Sequence, residues 1–132
     1  MSIIVKWYDD SHRILQYSFI DDWTWDDYYS ALAEGRTMER TTGHAVCTFN
    51  DMRQTTHIPA DFIEHARQVS LTRPTSTVIS VYISSDYHFV SIYEVLCRLY
   101  PDTQALYPLV ATEEDALSLV TAWIQAHPIP RT

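Results

Sequence analysis

With 132 residues, 46% of them hydrophobic and 13% aromatic, the chain has the length and apolar content of one folded domain, which excludes a disordered segment. Seventeen acidic against nine basic residues leave a formal net charge of −8, and the Lys and Arg residues are scattered, so phosphate backbones and anionic lipid surfaces are repelled. No apolar run approaches the roughly 20 residues of a membrane span, so neither nucleic acid binding nor membrane insertion is expected.

The sequence opens Met-Ser-Ile-Ile-Val-Lys, without the cationic start, apolar run and small-residue cleavage site of a secretory signal, and the expected location is the cytoplasm. Ile3 to Tyr8 and Arg13 to Ile20 are β-branched and aromatic runs flanking Asp9-Asp10-Ser11-His12, which predicts a hairpin. In the second run Leu15, Tyr17 and Phe19 alternate with Gln16 and Ser18, turning one face to the core and one to water or a partner. Thr24-Trp25-Asp26-Asp27 reads as a capping box that opens a helix, with Trp25, Tyr28, Tyr29 and Leu32 as its apolar stripe. That helix is expected to pass Gly35 toward Met38, with Gly43 as its stop. Because it starts between Trp23 and Trp25, the two indoles are expected to face different sides, one as a surface anchor.

Ala45 to Phe49 reads as a short buried strand leading into Asn50-Asp51. Pro59 fits the first turn of a second helix, which Phe62, Ala66 and Val69 continue until Arg73-Pro74-Thr75-Ser76 ends it. Val78 to Ile83 is nearly continuously apolar, the pattern of an interior strand covered on both sides. Helical spacing returns from Tyr87 to Tyr100, closed by Pro101. Leu106 to Val110 is a short strand that Pro108 confines to a sheet edge. Thr112-Glu113-Glu114-Asp115 is a second capping box, followed by Leu117, Val120, Trp123 and Ile124 on one helix face, before the chain frays at Pro128 and Pro130. The order predicts an α/β fold: one domain over residues 1–132, an N-terminal hairpin followed by alternating helices and strands, and one mixed sheet with about four helices.

That order resembles the STAS-like group typified by the bacterial anti-sigma-factor antagonists, and especially its branch related to the CRAL-TRIO lipid-binding fold. The residues that carry the likeness are Trp23 to Tyr28, Phe49-Asn50-Asp51-Met52-Arg53, Ile58-Pro59, Phe89-Val90 and Arg98-Leu99-Tyr100-Pro101. The antagonists carry a phosphoacceptor serine where the loop after the third strand enters the second helix. Here that stretch reads Thr55-Thr56-His57-Ile58-Pro59-Ala60, and the serine is missing. The resemblance implies a regulatory protein-interaction module without the phosphorylation switch. Its CRAL-TRIO side implies, as the alternative, a carrier of a small apolar molecule.

Few constellations point to chemistry. Only Gly35 and Gly43 are available, so neither a Walker loop nor a dinucleotide fingerprint can be written. The six histidines show neither an HExxH spacing nor any cysteine pairing, although His65 and Asp61 lie one helical turn apart. Ser84-Ser85-Asp86 with His88 has triad residue types but no nucleophile elbow. Asp21, Asp22, Asp26 and Asp27 surround one helix start, where capping explains them. Cys47 and Cys97 read as unpaired thiols. The expectation is a non-enzymatic module with no cofactor and no metal, a homodimer, binding an unknown regulatory protein through Asp51, Arg53, Thr55, Thr56 and His57 at the carboxyl edge of the sheet.

Overall fold

The computed structural model describes residues 2–128, so Pro130, where fraying is expected, lies outside the described residues. Strand β1 (Ile3–Trp7) and strand β2 (Ile14–Asp21) form the antiparallel hairpin. Its turn is held by Asp9, whose carboxylate accepts from the Ser11 amide and hydroxyl, and by His12, which takes a left-handed conformation and stacks on Trp7. Helix α1 (Trp25–Thr42) then leads to β3 (Val46–Thr55), α2 (Phe62–Leu71), β4 (Thr77–Ile83), α3 (Tyr87–Leu99), the four-residue α4 (Thr103–Leu106), β5 (Leu109–Val110) and α5 (Glu113–Ala126). The protein is α/β, with one mixed sheet in the order β1-β2-β3-β4-β5; β2 to β5 are mutually parallel.

A consecutive order with parallel crossovers sends each connecting helix over the same face, because right-handed connections all return on one side. The core divides accordingly. Leu15, Tyr17, Phe19 and Met52 pack with Ala31 of α1, Phe62 of α2, and Phe89, Tyr93 and Leu96 of α3. Ile14, Cys47, Phe49, Val81 and Ile83, from the opposite face, pack with Ala116 and Val120 of α5. The period-two reading of β2 therefore assigns its core face correctly, but the other face is not open to water: Ile14 packs in the α5 cluster and Gln16 is buried. β4 is an interior strand covered on both sides.

Helix α1 begins as the sequence indicates. The Thr24 hydroxyl accepts the Asp27 amide hydrogen while the Asp27 carboxylate accepts that of Thr24. It runs four residues beyond Met38 and ends at Gly43, whose left-handed φ of 72° a side chain would strain. Gly35 sits where α1 crosses the sheet closely: a Cβ there would run into the Tyr17 phenol ring.

Four expectations need correction. The last strand is Leu109–Val110 alone: Leu106 closes α4, and Pro108, whose carbonyl accepts from the Tyr82 amide at 2.8 Å, stands before the strand rather than inside it. Strand β3 extends to Thr55 rather than ending at Phe49, because its ladder with β2 carries it on, and Arg53 neutralises Asp51 on the same strand. Pro59 does not open α2: Asp61 adopts a left-handed conformation, which breaks the helical path, and the helix starts at Phe62. Trp23 and Trp25 do not face apart, since their rings meet edge to face at 5.0 Å, with Trp23 buried and Trp25 half-buried.

Candidate functional site

The tryptophan pair shapes the segment between β3 and α2. The Trp23 indole Nε1 donates to the Thr55 hydroxyl at 2.9 Å, and that of Trp25 donates to the Ala60 carbonyl at 2.8 Å. Trp25 also stacks on His65 at 4.1 Å, and the His65 Nδ1 lies 2.7 Å from the Tyr29 hydroxyl. His65 is thus engaged by α1 rather than by Asp61, which contributes only its backbone carbonyl to the helix.

Held this way, residues 58–64 form one wall of an open groove of about 580 Å³, and α3 forms the other. Ile58, Pro59 and Ile63 line the first wall, and Ile92, Leu99 and Tyr100 the second. Ile92 and Leu99 are seven residues apart, so both project from one face of α3. Leu99 is 58% exposed, unusual for so large an apolar side chain at the mouth of a cleft. Asp61 and Glu64 give the rim two acidic side chains, and neither forms a salt bridge among the described residues. His88 completes the rim.

The five residues singled out in the sequence do not form one patch. Asp51 is 4% exposed and accepts from the Arg53 Nε at 2.9 Å and Nη2 at 2.8 Å. Burial pushes the Asp51 carboxyl up, but the Arg53 hydrogen bonds and charge outweigh it, and its pKa lies below the ordinary carboxylate value. The Arg53 guanidinium, its own pKa raised chiefly by that hydrogen bond, also reaches Glu113 at 3.2 Å, and Glu113 accepts from the Tyr8 hydroxyl at 3.1 Å. This network ties the hairpin, β3 and α5 together. Thr55 is held by Trp23, and the Thr56 hydroxyl donates to the Asp22 carboxylate at 3.1 Å. His57 is exposed and stands immediately before the groove wall.

The other candidate constellations are occupied by structural tasks. The Ser84 hydroxyl accepts the Asp86 amide hydrogen, and the Asp86 carboxylate caps α3 by accepting that of Phe89. Cys47 and Cys97 are both free thiols. Among the described residues no three His, Cys, Asp or Glu side chains converge in a metal-binding group, and no helix is long and apolar enough to cross a membrane. Three small cavities between the helices and the sheet are about 10, 20 and 30 Å³, the scale of one or two water molecules, and a cleft of about 220 Å³ lies between Ile3 and the first turns of α1.

The groove was not legible in the sequence. Its walls come from segments some 30 residues apart, and no local pattern marks Leu99, between Arg98 and Tyr100, as a groove residue. Comparison with family models, with curated proteins and with solved structures finds no significant match.

Proposed function

We propose that this protein is a non-enzymatic interaction module whose groove between the approach to α2 and α3 receives an apolar segment of a regulatory partner protein flanked by basic residues. The observation that carries this reading is the groove itself, with Ile63, Ile92 and Leu99 along it and Asp61 and Glu64 at its rim. Apolar anchors in a cleft supply most of an interface's affinity, and a like-signed rim selects partners of opposite charge. The formal net charge of −8 acts in the same direction at longer range. The resemblance to the STAS-like group motivates the regulatory part of the reading, and the missing phosphoacceptor serine makes the module constitutive.

The alternative, a carrier of a small apolar molecule, needs an enclosed pocket of roughly 300 Å³ or more. The cavities in the core reach only about 30 Å³, a cleft of about 220 Å³ between Ile3 and the first turns of α1 is also smaller than this, and the 580 Å³ groove is open, which favours the interaction module. Self-association belongs to the same reading. Among the described residues β1 pairs only with β2, leaving an edge beside the exposed Ile4, and a two-fold edge-to-edge contact there gives the homodimer its simplest form. Sedimentation that detects only the 15.4 kDa species at high micromolar concentration would contradict it.

The groove is tested by selecting peptides from a display library of the host's own protein sequences. Enriched peptides are expected to share apolar anchors flanked by Lys or Arg, and Leu99→Asp or Ile63→Asp is expected to abolish their binding without changing the melting temperature by more than a few degrees. Enrichment of acidic or featureless peptides, or binding indifferent to both substitutions, would refute the proposal.

A further inference from the structure

At the opposite end of the sheet from the groove, near the starts of β3 and β4, three polar side chains converge on one cavity with hydrogen-bonding atoms left over. The Arg36 Nε, the Arg73 Nη1 and the Thr48 hydroxyl are all buried and all without a partner among the described residues. All three residues line the same cavity of about 30 Å³. Thr48, on β3, is only 4% exposed, so water outside the molecule cannot serve its hydroxyl. A buried polar group left unpaired is costly, and three around one cavity mark a place built for an occupant.

The rest of each side chain is already fixed. The Arg36 Nη2 donates to the Thr72 hydroxyl at 3.2 Å. The Arg73 Nη2 donates to the carbonyls of Thr77 and Val78 at 2.8 and 2.7 Å, and its guanidinium lies over the Tyr107 ring. Both guanidinium groups are therefore positioned by neutral partners, and neither forms a salt bridge among the described residues. The one carboxyl group lining the cavity is that of Glu39, whose Oε2 accepts from the Thr77 hydroxyl at 2.7 Å. Two fixed positive charges facing one carboxyl leave room for one further negative charge.

Charge and donor geometry together identify the occupant. All three free groups can donate, so they suit an acceptor carrying more than one oxygen. We infer that Arg36, Arg73 and Thr48 form a binding site for the carboxylate group of a small organic acid, entered from the side of the α2–β4 connection. Phosphate, which carries up to two negative charges near neutral pH, exceeds the one charge that Arg36 and Arg73 leave open beside Glu39.

The test compares thermal unfolding in sodium formate, acetate, phosphate and chloride at equal ionic strength and pH. Formate and acetate are expected to raise the midpoint in a saturable way over chloride, as ligands that bind only the folded state do, and phosphate is not. Thr48→Val removes one donor with little change of shape and should weaken the apparent affinity for formate about tenfold or more, the loss expected of one hydrogen bond to a charged group. Arg36→Gln, on the α1 surface, provides a second variant with the same expected loss if Thr48→Val does not fold. Equal midpoints in all four salts, a phosphate effect as large as that of formate, or variants that respond like the wild type would each overturn the assignment.

Discussion

Arg53 closes on Asp51, two residues earlier on the same strand, through both its Nε and its Nη2, and so answers the charge of a carboxylate buried within β3. The pair is structural. Arg53→Ala is expected to lower stability by about 1–3 kcal/mol in denaturant unfolding, since it strands the buried partner of a charged hydrogen bond. It should leave groove binding unchanged. Because the folded-state pKa of Asp51 lies below the ordinary value of 3.8, the pair's stabilisation is present above that value and is lost as pH falls through the folded pKa. Asp51→Asn should remove this part of the acid sensitivity.

Glu39 behaves in the opposite sense. It is buried on α1, and burial raises its pKa above the ordinary 4.5 despite the Thr77 hydrogen bond and the charges of Arg36 and Arg73. A raised folded-state pKa contributes stability that is fully present below 4.5 and is lost as pH rises through the folded value. Glu39→Gln keeps the shape and is expected to stabilise the protein at neutral pH. The difference in stability between variant and wild type should shrink as the pH is lowered; a difference independent of pH would contradict the account.

Gly35 permits α1 to lie close on β2. Gly35→Ala would drive a methyl group into the Tyr17 ring and should cost about 1–3 kcal/mol, measured by denaturant unfolding. An unchanged midpoint would mean that the helix can move off the sheet freely.

The two thiols differ in accessibility. Burial pushes the Cys47 thiol up to about 11, while Cys97 is half-buried on α3. Alkylation of the native protein near pH 8 should therefore modify Cys97 first, and Cys47 only on unfolding. Peptide mapping that finds Cys47 modified at a comparable rate would contradict the packing of the α5 face.

Local chemistry made much of this fold readable. The Thr24–Asp27 capping box, the stop at Gly43 and the placement of the short strand after Pro108 at the sheet edge all depend on neighbours in sequence. What depended on distant partners was missed. β3 looked finished at Phe49 because Asn50-Asp51 are polar, but its ladder with the distant β2, Ser18 opposite Asp51 and Asp21 opposite Thr55, carries the strand on, and Arg53 answers the buried charge of Asp51. The start of α2 was misplaced because nothing in Ile58-Pro59-Ala60 announces the left-handed turn at Asp61. Thr55, Thr56 and His57 precede the groove wall in sequence without lining it, and the apolar residues that do form it come from the approach to α2, from α2 itself and from α3.

The groove's role is tested most directly inside cells of the host, by placing a photo-crosslinking amino acid at Leu99 and, separately, at Leu71. Both leucines are well exposed, at 58% and 69%, but only Leu99 lines the groove, so Leu71 controls for exposure alone. Irradiation is predicted to give one discrete adduct from position 99, absent from position 71 and lost with Ile63→Asp, and its crosslinked peptide should be apolar and flanked by Lys or Arg. Equal adducts from both positions, or none from position 99, would contradict the interaction-module account.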